Sequence, residues 1–134
     1  MPVTFSARSA ADPAAAWALM AEPGRWSEWA PHIRGAWGLG SPEVRSRAVG
    51  AVRLLGFVPV PARIVAKRAG RMWAWRVGPA VLVHRVEPAR GAGCVVAIDM
   101  QAHPPALEAA LAASYGPVVD ALLRRLARVA EERR

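Results

Sequence analysis

The sequence of 134 residues has one cysteine, one tyrosine, one lysine and no uninterrupted run of 18 apolar residues. The single Cys94 excludes an intrachain disulfide and any metal site that is built from several cysteines. Because there is no long apolar run, we expect no segment to span a bilayer. Charged residues make up only 21% of the chain and hydrophobic residues 54%, a balance that excludes a disordered chain. We expect a single folded domain over residues 1–134.

Positive charge dominates, with 18 basic residues against 10 acidic ones and a net charge of +8. All the basic residues except Lys67 are arginine, which together with 29 alanines is typical of a GC-rich bacterial genome. The densest basic cluster, Arg124, Arg125 and Arg128, falls near the end of a predicted helix and complements the negative end of its dipole. We therefore expect no nucleic-acid partner, while a basic surface that binds nucleic acid or an anionic membrane stays open as an alternative.

The start of the chain, from Met1 to Arg8, has no basic segment followed by an apolar stretch, which is the pattern of a secretory signal. One unpaired cysteine also agrees with a reducing compartment. We therefore expect a cytoplasmic location.

The periodicity of apolar residues predicts one strand, two short helices, a run of strands and one long helix. Residues 3–9 alternate between apolar and polar as in a half-buried strand. Asp12 and Pro13 then begin a helix that runs to Met20, and residues 25–29 form one further short turn. After this turn, glycine and proline separate segments that alternate as in an antiparallel sheet with one covered face. These predicted strands span residues 33–39, 47–58, 60–68, 71–77, 81–86 and 94–101.

The segment from Pro105 to Arg134 changes to a helical period, since its apolar residues recur every three or four positions. It predicts an amphipathic helix of up to 30 residues. The Gly116-Pro117 pair predicts a kink or a break, because proline lacks the N–H that the helix needs and its ring crowds the preceding turn. The positions that share one face are Leu107, Leu111, Ser114, Val118, Leu122, Leu126 and Val129.

Three local motifs follow one another in an order that resembles a known superfamily. Residues 14–20 and the W-x-x-W-x-P segment at 26–31 resemble its opening helix and the turn that follows. Residues 71–75 resemble the strand after its basic turn, and residues 86–93, with Val-Glu-Pro and two glycines, resemble its hairpin. Over nearly its whole length the chain resembles the START-related helix-grip superfamily, particularly the polyketide cyclase/dehydrase and lipid-transport group.

The resemblance implies an α+β helix-grip fold. In this fold a curved antiparallel sheet wraps around a long C-terminal helix, and two short helices follow the first strand. A cavity between the sheet and the long helix holds a sterol, lipid, quinone, polyketide or other hydrophobic molecule in such families. Some members are cyclases, which place polar residues deep in the cavity, and many have no assigned reaction.

Tryptophan, with six residues, is the most distinctive part of the composition. Indole rings offer large apolar faces and one N–H donor, which suit a flat or ring-containing ligand. Bulky side chains that simply fill the core of an alanine-rich domain would give the same pattern. The inward faces of the predicted strands and helix indicate these ligand-binding residues: Trp29, Trp37, Trp73, Trp75, His84, Ile98, Met100, Tyr115, Val118 and Leu122.

Catalytic residues are not assigned by the sequence, and the candidates are His84, Arg63 and Tyr115. A histidine titrates near neutrality and could transfer a proton, while an inward arginine could bind a carboxylate or an enolate. Tyr115 could offer its hydroxyl from the helix side. A buried core histidine, an outward arginine and a half-exposed tyrosine are the alternatives. The histidines and Cys94 lack the spacing of metal ligands, so we expect no metal site and no cofactor.

The inner face reads as almost wholly apolar, which favours binding of a small hydrophobic molecule over catalysis. A polyketide cyclase-like enzyme that uses an inward arginine, histidine or tyrosine is the alternative. A homodimer also stays open, as does a protein–protein interaction if the tryptophans leave no cavity.

Overall fold

The secondary structure follows the predicted order. A computed structural model describes residues 3–31, 33–54 and 58–132, and these ranges contain seven strands and two α-helices. The helices are α1 (Pro13–Ala21) and α2 (Pro105–Glu132), with a 3₁₀ helix (Pro23–Glu28) after α1. The strands are β1 (Val3–Ser9), β2 (Ile33–Trp37), β3 (Val49–Leu54), β4 (Val58–Arg68), β5 (Met72–Val77), β6 (Ala80–Pro88) and β7 (Cys94–Ala102).

The strands form one antiparallel sheet in the order β1-β7-β6-β5-β4-β3-β2. Strands β2 to β7 pair with their neighbours in the chain, and β1 pairs with β7. The register places Trp73 of β5 opposite His84 of β6, and His84 opposite Ile98 of β7. These three side chains share the inner face of the sheet, on which α2 lies. This architecture confirms the expected α+β helix-grip fold.

Helix α2 packs mainly against β1, β7 and α1. Its inner face buries Val119, Leu123 and Leu126 completely or nearly so. At its C-terminal end, the buried hydroxyl of Ser9 donates a hydrogen bond of 2.8 Å to the carbonyl of Ala127. The backbone N–H of Ala10 also donates to Glu131 at 2.8 Å, so apolar burial and two polar contacts fix the end of α2 against the end of β1.

Of the predicted kink or break at the Gly116-Pro117 pair, the break is wrong, because α2 runs without interruption through Pro117. Gly116 is buried where α2 crosses β1, and a Cβ atom at this position would lie 2.8 Å from Cζ of Phe5. The glycine therefore allows a close approach between the helix and the first strand. Packing along the rest of α2 offsets the hydrogen bond that Pro117 removes.

By length and composition alone, α2 could cross a membrane. Its most apolar window of 18 residues has a mean hydropathy of 1.3, and 22% of that window is buried. The same test is passed by helices in the cores of domains, so it is weak evidence for a membrane span. The inner face of α2 is already covered by the sheet and by α1.

An ion pair on the outer face connects three strands. The guanidinium of Arg85 in β6 donates two hydrogen bonds, of 2.8 and 3.0 Å, to the carboxylate of Asp99 in β7. Thr4 of β1 donates a third, of 2.6 Å, to the same carboxylate. Desolvation raises the pKa of Asp99, but the hydrogen bonds from Arg85 and Thr4 outweigh it and hold this pKa below its usual value.

Candidate functional site

A cavity of about 270 Å³ lies between the inner face of the sheet, the 3₁₀ helix and the middle of α2. Its volume is close to the lower end of the range for ligand pockets, which is about 300–1,000 Å³. Among the described residues that line it there is no aspartate, glutamate, lysine or arginine. The only polar side-chain groups among them are indole, imidazole and phenol. The space therefore fits a small, largely apolar molecule.

Eight of the ten predicted ligand-binding residues line this cavity. They come from the end of the 3₁₀ helix, from strands β5, β6 and β7, and from α2. The eight are Trp29, Trp73, Trp75, His84, Ile98, Met100, Tyr115 and Leu122.

Three indole rings form a cluster at one wall of the cavity. The ring centroids of Trp26, Trp73 and Trp75 are 5.2–5.4 Å apart and form a nearly equilateral triangle. Trp26 stacks on Trp73, whereas Trp75 meets both rings edge to face. The imidazole of His84 also stacks on Trp73, with 3.8 Å between the ring centroids. Each such aromatic pair contributes about 1 kcal/mol beyond the burial of its area, so this wall is stiff.

The end of α1 positions three of the tryptophans. The last carbonyl groups of a helix have no partner within it, and in α1 these include the carbonyls of Leu19 and Met20. The indole N–H groups of Trp26 and Trp73 both donate to the carbonyl of Met20, at 2.8 and 3.1 Å. The N–H of Trp29 donates to the carbonyl of Leu19 at 2.8 Å. A nine-residue helix thereby anchors the 3₁₀ helix and β5 at one point.

Trp75 differs from these three tryptophans. Its side chain is 9% exposed and lines the cavity, but its indole nitrogen is buried without a hydrogen-bond partner. In the part of the chain that the structure describes, no other buried side-chain nitrogen or oxygen lacks a partner. A buried donor without an acceptor is costly and uncommon, so this N–H requires an explanation.

His84 is a neutral imidazole with a defined tautomer. It is 4% exposed, and desolvation lowers its pKa from 6.5 to about 3, although hydrogen bonds to the backbone carbonyls of Trp73 and Leu82 oppose the shift. Its Nδ1 lies 3.3 Å from the Trp73 carbonyl, which can only accept a hydrogen bond. Nδ1 therefore carries the proton, and Nε2 is left as an acceptor.

Tyr115 enters the cavity wall from α2, as the sequence predicts, and it is partly buried. Desolvation raises the pKa of its phenol, so the hydroxyl stays protonated under physiological conditions. All the polar groups among the described residues that line the cavity are therefore neutral.

Trp37 was expected in the site but lies outside it. Its side chain is 46% exposed, and the guanidinium of Arg53 lies 5.1 Å from its ring centroid. The pairing register of β2 with β3 shifts between Ile33 and Gly35, as at a β-bulge. Such a shift moves every later side chain to the opposite face. Ile33 therefore lines the cavity, while Trp37 is displayed on the outside.

Arg63 and Val118 also lie outside the cavity. Arg63 is exposed on the outer face of β4, directly opposite Arg76 of β5, because Ile64 and Ala62 take the inner face. Val118 is 42% exposed, and its neighbour Val119 takes the inward position. Consecutive residues of a helix point about 100° apart, so only one of two adjacent valines can face the sheet.

The sequence prediction omitted two important residues of the wall, Trp26 and Val119. The signal for Trp26 was its spacing of three residues from Trp29. In a 3₁₀ helix, side chains three positions apart lie directly above one another, so the two rings had to share a side. Val119 is four residues from Tyr115 and three from Leu122, which places all three on one face.

A metal site finds no support among residues 3–31, 33–54 and 58–132. No group of three or more histidine, cysteine, aspartate or glutamate side chains is close enough there to hold an ion. Cys94 is fully buried in the core, and burial raises the pKa of its thiol.

A family model described as "Polyketide cyclase / dehydrase and lipid transport" matches residues 2–131. The chain belongs to this family. A search of curated proteins finds no match. The description of the family names both enzymes and lipid transport, so it leaves the ligand open.

Solved structures share the fold. Protein NE0264 from Nitrosomonas europaea is 10% identical, with a TM-score of 0.82 over 99% of this chain and 96% of that one. Protein MLL2253 from Mesorhizobium loti is also 10% identical, with a TM-score of 0.78 over 98% of both chains. A Thermobifida fusca protein is 18% identical, with a TM-score of 0.73 over 95% of this chain and 93% of that one. At these identities the likeness extends to the fold alone.

Proposed function

We propose that this protein binds a small hydrophobic molecule in the cavity between the sheet and α2, as a binding or carrier protein. The observation that supports this most directly is the lining of the cavity. It combines indole rings with aliphatic side chains such as Ile98, Met100 and Leu122, and no described lining residue is charged. Burial of about 200 Å² of apolar ligand surface would contribute about 5 kcal/mol before the cost of association.

Tryptophan fluorescence tests the proposal, because four indole rings line the cavity. A panel of quinones, fatty alcohols and polycyclic aromatic compounds is titrated into the protein, and the melting temperature is measured in parallel. A bound ligand should quench the emission and raise the melting temperature, by the equivalent of about 2.7 kcal/mol at a hundredfold excess over its Kd. A panel that changes neither signal would rule the proposal out.

Two positions about one turn apart on α2 provide a matched pair of variants. Leu122→Gln places an amide in the cavity wall, whereas Val118→Gln places the same amide on the exposed side of the same helix. We expect a loss of affinity of about fivefold to a hundredfold in the first variant and little change in the second, because an unpaired buried amide costs about 1–3 kcal/mol. Equal losses in both variants would place the ligand elsewhere.

A cyclase-like enzyme is the second candidate, and the observation in its favour is that His84 and Tyr115 both line the cavity. Nε2 of a neutral histidine can accept a proton from a substrate. The described lining offers no cation to stabilise an enolate and no carboxylate to orient the imidazole, which is why binding is preferred. If His84→Phe left ligand binding intact but abolished turnover of a bound polyketide, the enzyme would be the better description.

A further inference from the structure

We propose that the ligand of this cavity is an uncharged molecule with an apolar body and one hydroxyl group, and that this hydroxyl donates a hydrogen bond to Nε2 of His84. The inference rests on the proposed function, since it names the chemical class of the ligand of the same cavity. Two polar groups of the wall, one acceptor and one donor, carry it.

The acceptor is Nε2 of His84. The proton of the imidazole is on Nδ1, where it is directed at the carbonyl of Trp73 3.3 Å away. The ring is held in this orientation by stacking on Trp73, with an interplanar angle of 5°. By geometry, the hydrogen bond of Nδ1 is the one that this ring makes within the described part of the chain, and Nε2 is not among the sealed atoms without a partner, so it borders the cavity. An acceptor in an apolar cavity is best satisfied by a ligand O–H or N–H group.

The donor is the indole N–H of Trp75, which is buried and unpaired. Its ring contacts that of His84 edge to face, with 5.8 Å between centroids and an interplanar angle of 80°. A hydroxyl group has both a hydrogen and lone pairs. A hydroxyl has the chemistry to donate to His84 or to accept from Trp75, whereas a ketone could only accept.

Charge complementarity excludes the main competitors. A carboxylate would enter a wall whose described residues include no arginine or lysine, and an ammonium group would find no carboxylate. An unpaired ion that leaves water for an apolar site loses far more hydration free energy than a hydroxyl does. Fatty acids and amines should therefore bind worse than the alcohols of the same carbon skeleton.

Matched sets of small molecules test this inference by calorimetry. Each set contains a hydrocarbon, its alcohol and its carboxylate: naphthalene with naphthol and naphthoate, adamantane with adamantanol and its carboxylate, and decane with decanol and decanoate. In every set that binds, we expect the alcohol to bind about tenfold more tightly than the hydrocarbon. The carboxylate should be the weakest. This order is informative because the hydrocarbon gains more than the alcohol by leaving water.

Variants then identify the side chains that form hydrogen bonds with the hydroxyl of the ligand. His84→Phe keeps a ring on Trp73 but removes Nε2, so the preference for the alcohol should disappear. Replacement of Trp75 by benzothienylalanine, which has the indole shape with sulfur in place of N–H, should reduce the preference for the alcohol severalfold. This variant provides the test if His84→Phe does not fold. Trp37→Phe is the control, since this exposed indole lies outside the cavity. Tyr115→Phe should also keep the preference.

The outcomes separate the two proposals. If a hydrocarbon binds as tightly as its alcohol, the hydroxyl assignment is overturned while the binding function stands. The assignment is also overturned if Tyr115→Phe, and not His84→Phe, removes the preference, or if a carboxylate binds best. If no member of any set and no member of the apolar panel binds, the proposed function fails and the inference fails with it.

Discussion

Acidification from about pH 7.5 to about pH 5 should cost the folded protein about 2 kcal/mol through His84 alone. The folded state holds this imidazole neutral, with a pKa of about 3 against 6.5 in the unfolded chain. Between these two values the unfolded state binds one proton more than the folded state. The stabilisation is therefore complete above pH 6.5 and is lost progressively as the pH falls toward 3. At about pH 5 the proton-binding polynomial of the unfolded state is about 30 times that of the folded state, which lowers the free energy of unfolding by about 2 kcal/mol.

The size of this effect makes it measurable against a typical domain stability of about 5–15 kcal/mol. Urea denaturation is followed by circular dichroism at several pH values for the wild type, His84→Phe and the exposed-histidine control His103→Gln. In the wild type and the His103 variant, the free energy of unfolding should fall by up to about 1.4 kcal/mol per pH unit once the pH is below 6.5. His84→Phe should lose much less over the same range. If all three proteins show the same slope, His84 is protonated in the folded state and its assignment as a neutral acceptor is wrong.

Three further predictions concern the packing around the cavity. Gly116→Ala places a Cβ atom 2.8 Å from Phe5. Despite the better helix propensity of alanine, we expect urea denaturation to show a net loss of stability of about 1 kcal/mol. A gain would show that β1 moves away from the new methyl group without a loss of stability. Asp99→Asn removes the charge from a three-strand contact, and the resulting loss of stability, about 1 kcal/mol at neutral pH, should vanish when acid protonates the wild-type carboxylate, whose pKa is lowered by Arg85 and Thr4. Trp29→Phe should destabilise the protein by about 1 kcal/mol more than Trp75→Phe, because only the Trp29 N–H has a partner to lose; the same urea assay would contradict this if the order were reversed.

Local alternation was enough to predict most of the sheet and of the site. On β5 and β7 every second residue is large and apolar, and the structure places Trp73, Trp75, Ile98 and Met100 on the inner face as expected. His84 could be assigned to the same face by its parity within β6. These predictions succeed because the pairing of β5 with β6 and of β6 with β7 has no register shift, so period two in the sequence is period two in space.

The errors have a common origin in features that depend on a neighbouring element. Trp37 is on the outside because the pairing of β2 with β3 shifts, and no property of residues 33–39 alone reveals that shift. The Gly116-Pro117 pair is a contact with Phe5 and not a break, which only the position of β1 explains. The choice between Val118 and Val119 required the direction in which α2 meets the sheet. In each case the local pattern allowed two placements, and tertiary contacts selected one.

The end of α1 explains how an alanine-rich chain builds a cavity at all. Alanine side chains cannot enclose a space, so the wall needs large rings, and large rings need fixed orientations. The unpaired carbonyls of Leu19 and Met20 supply these by accepting three indole N–H groups from two different elements. The Trp75 ring meets this wall only through aromatic contacts, without a hydrogen bond of its own. Moving Trp26, Trp29 or Trp73 would therefore break a buried hydrogen bond. Trp75 is held instead by its edge-to-face contacts with Trp26, Trp73 and His84, so aromatic packing alone fixes the ring beside His84.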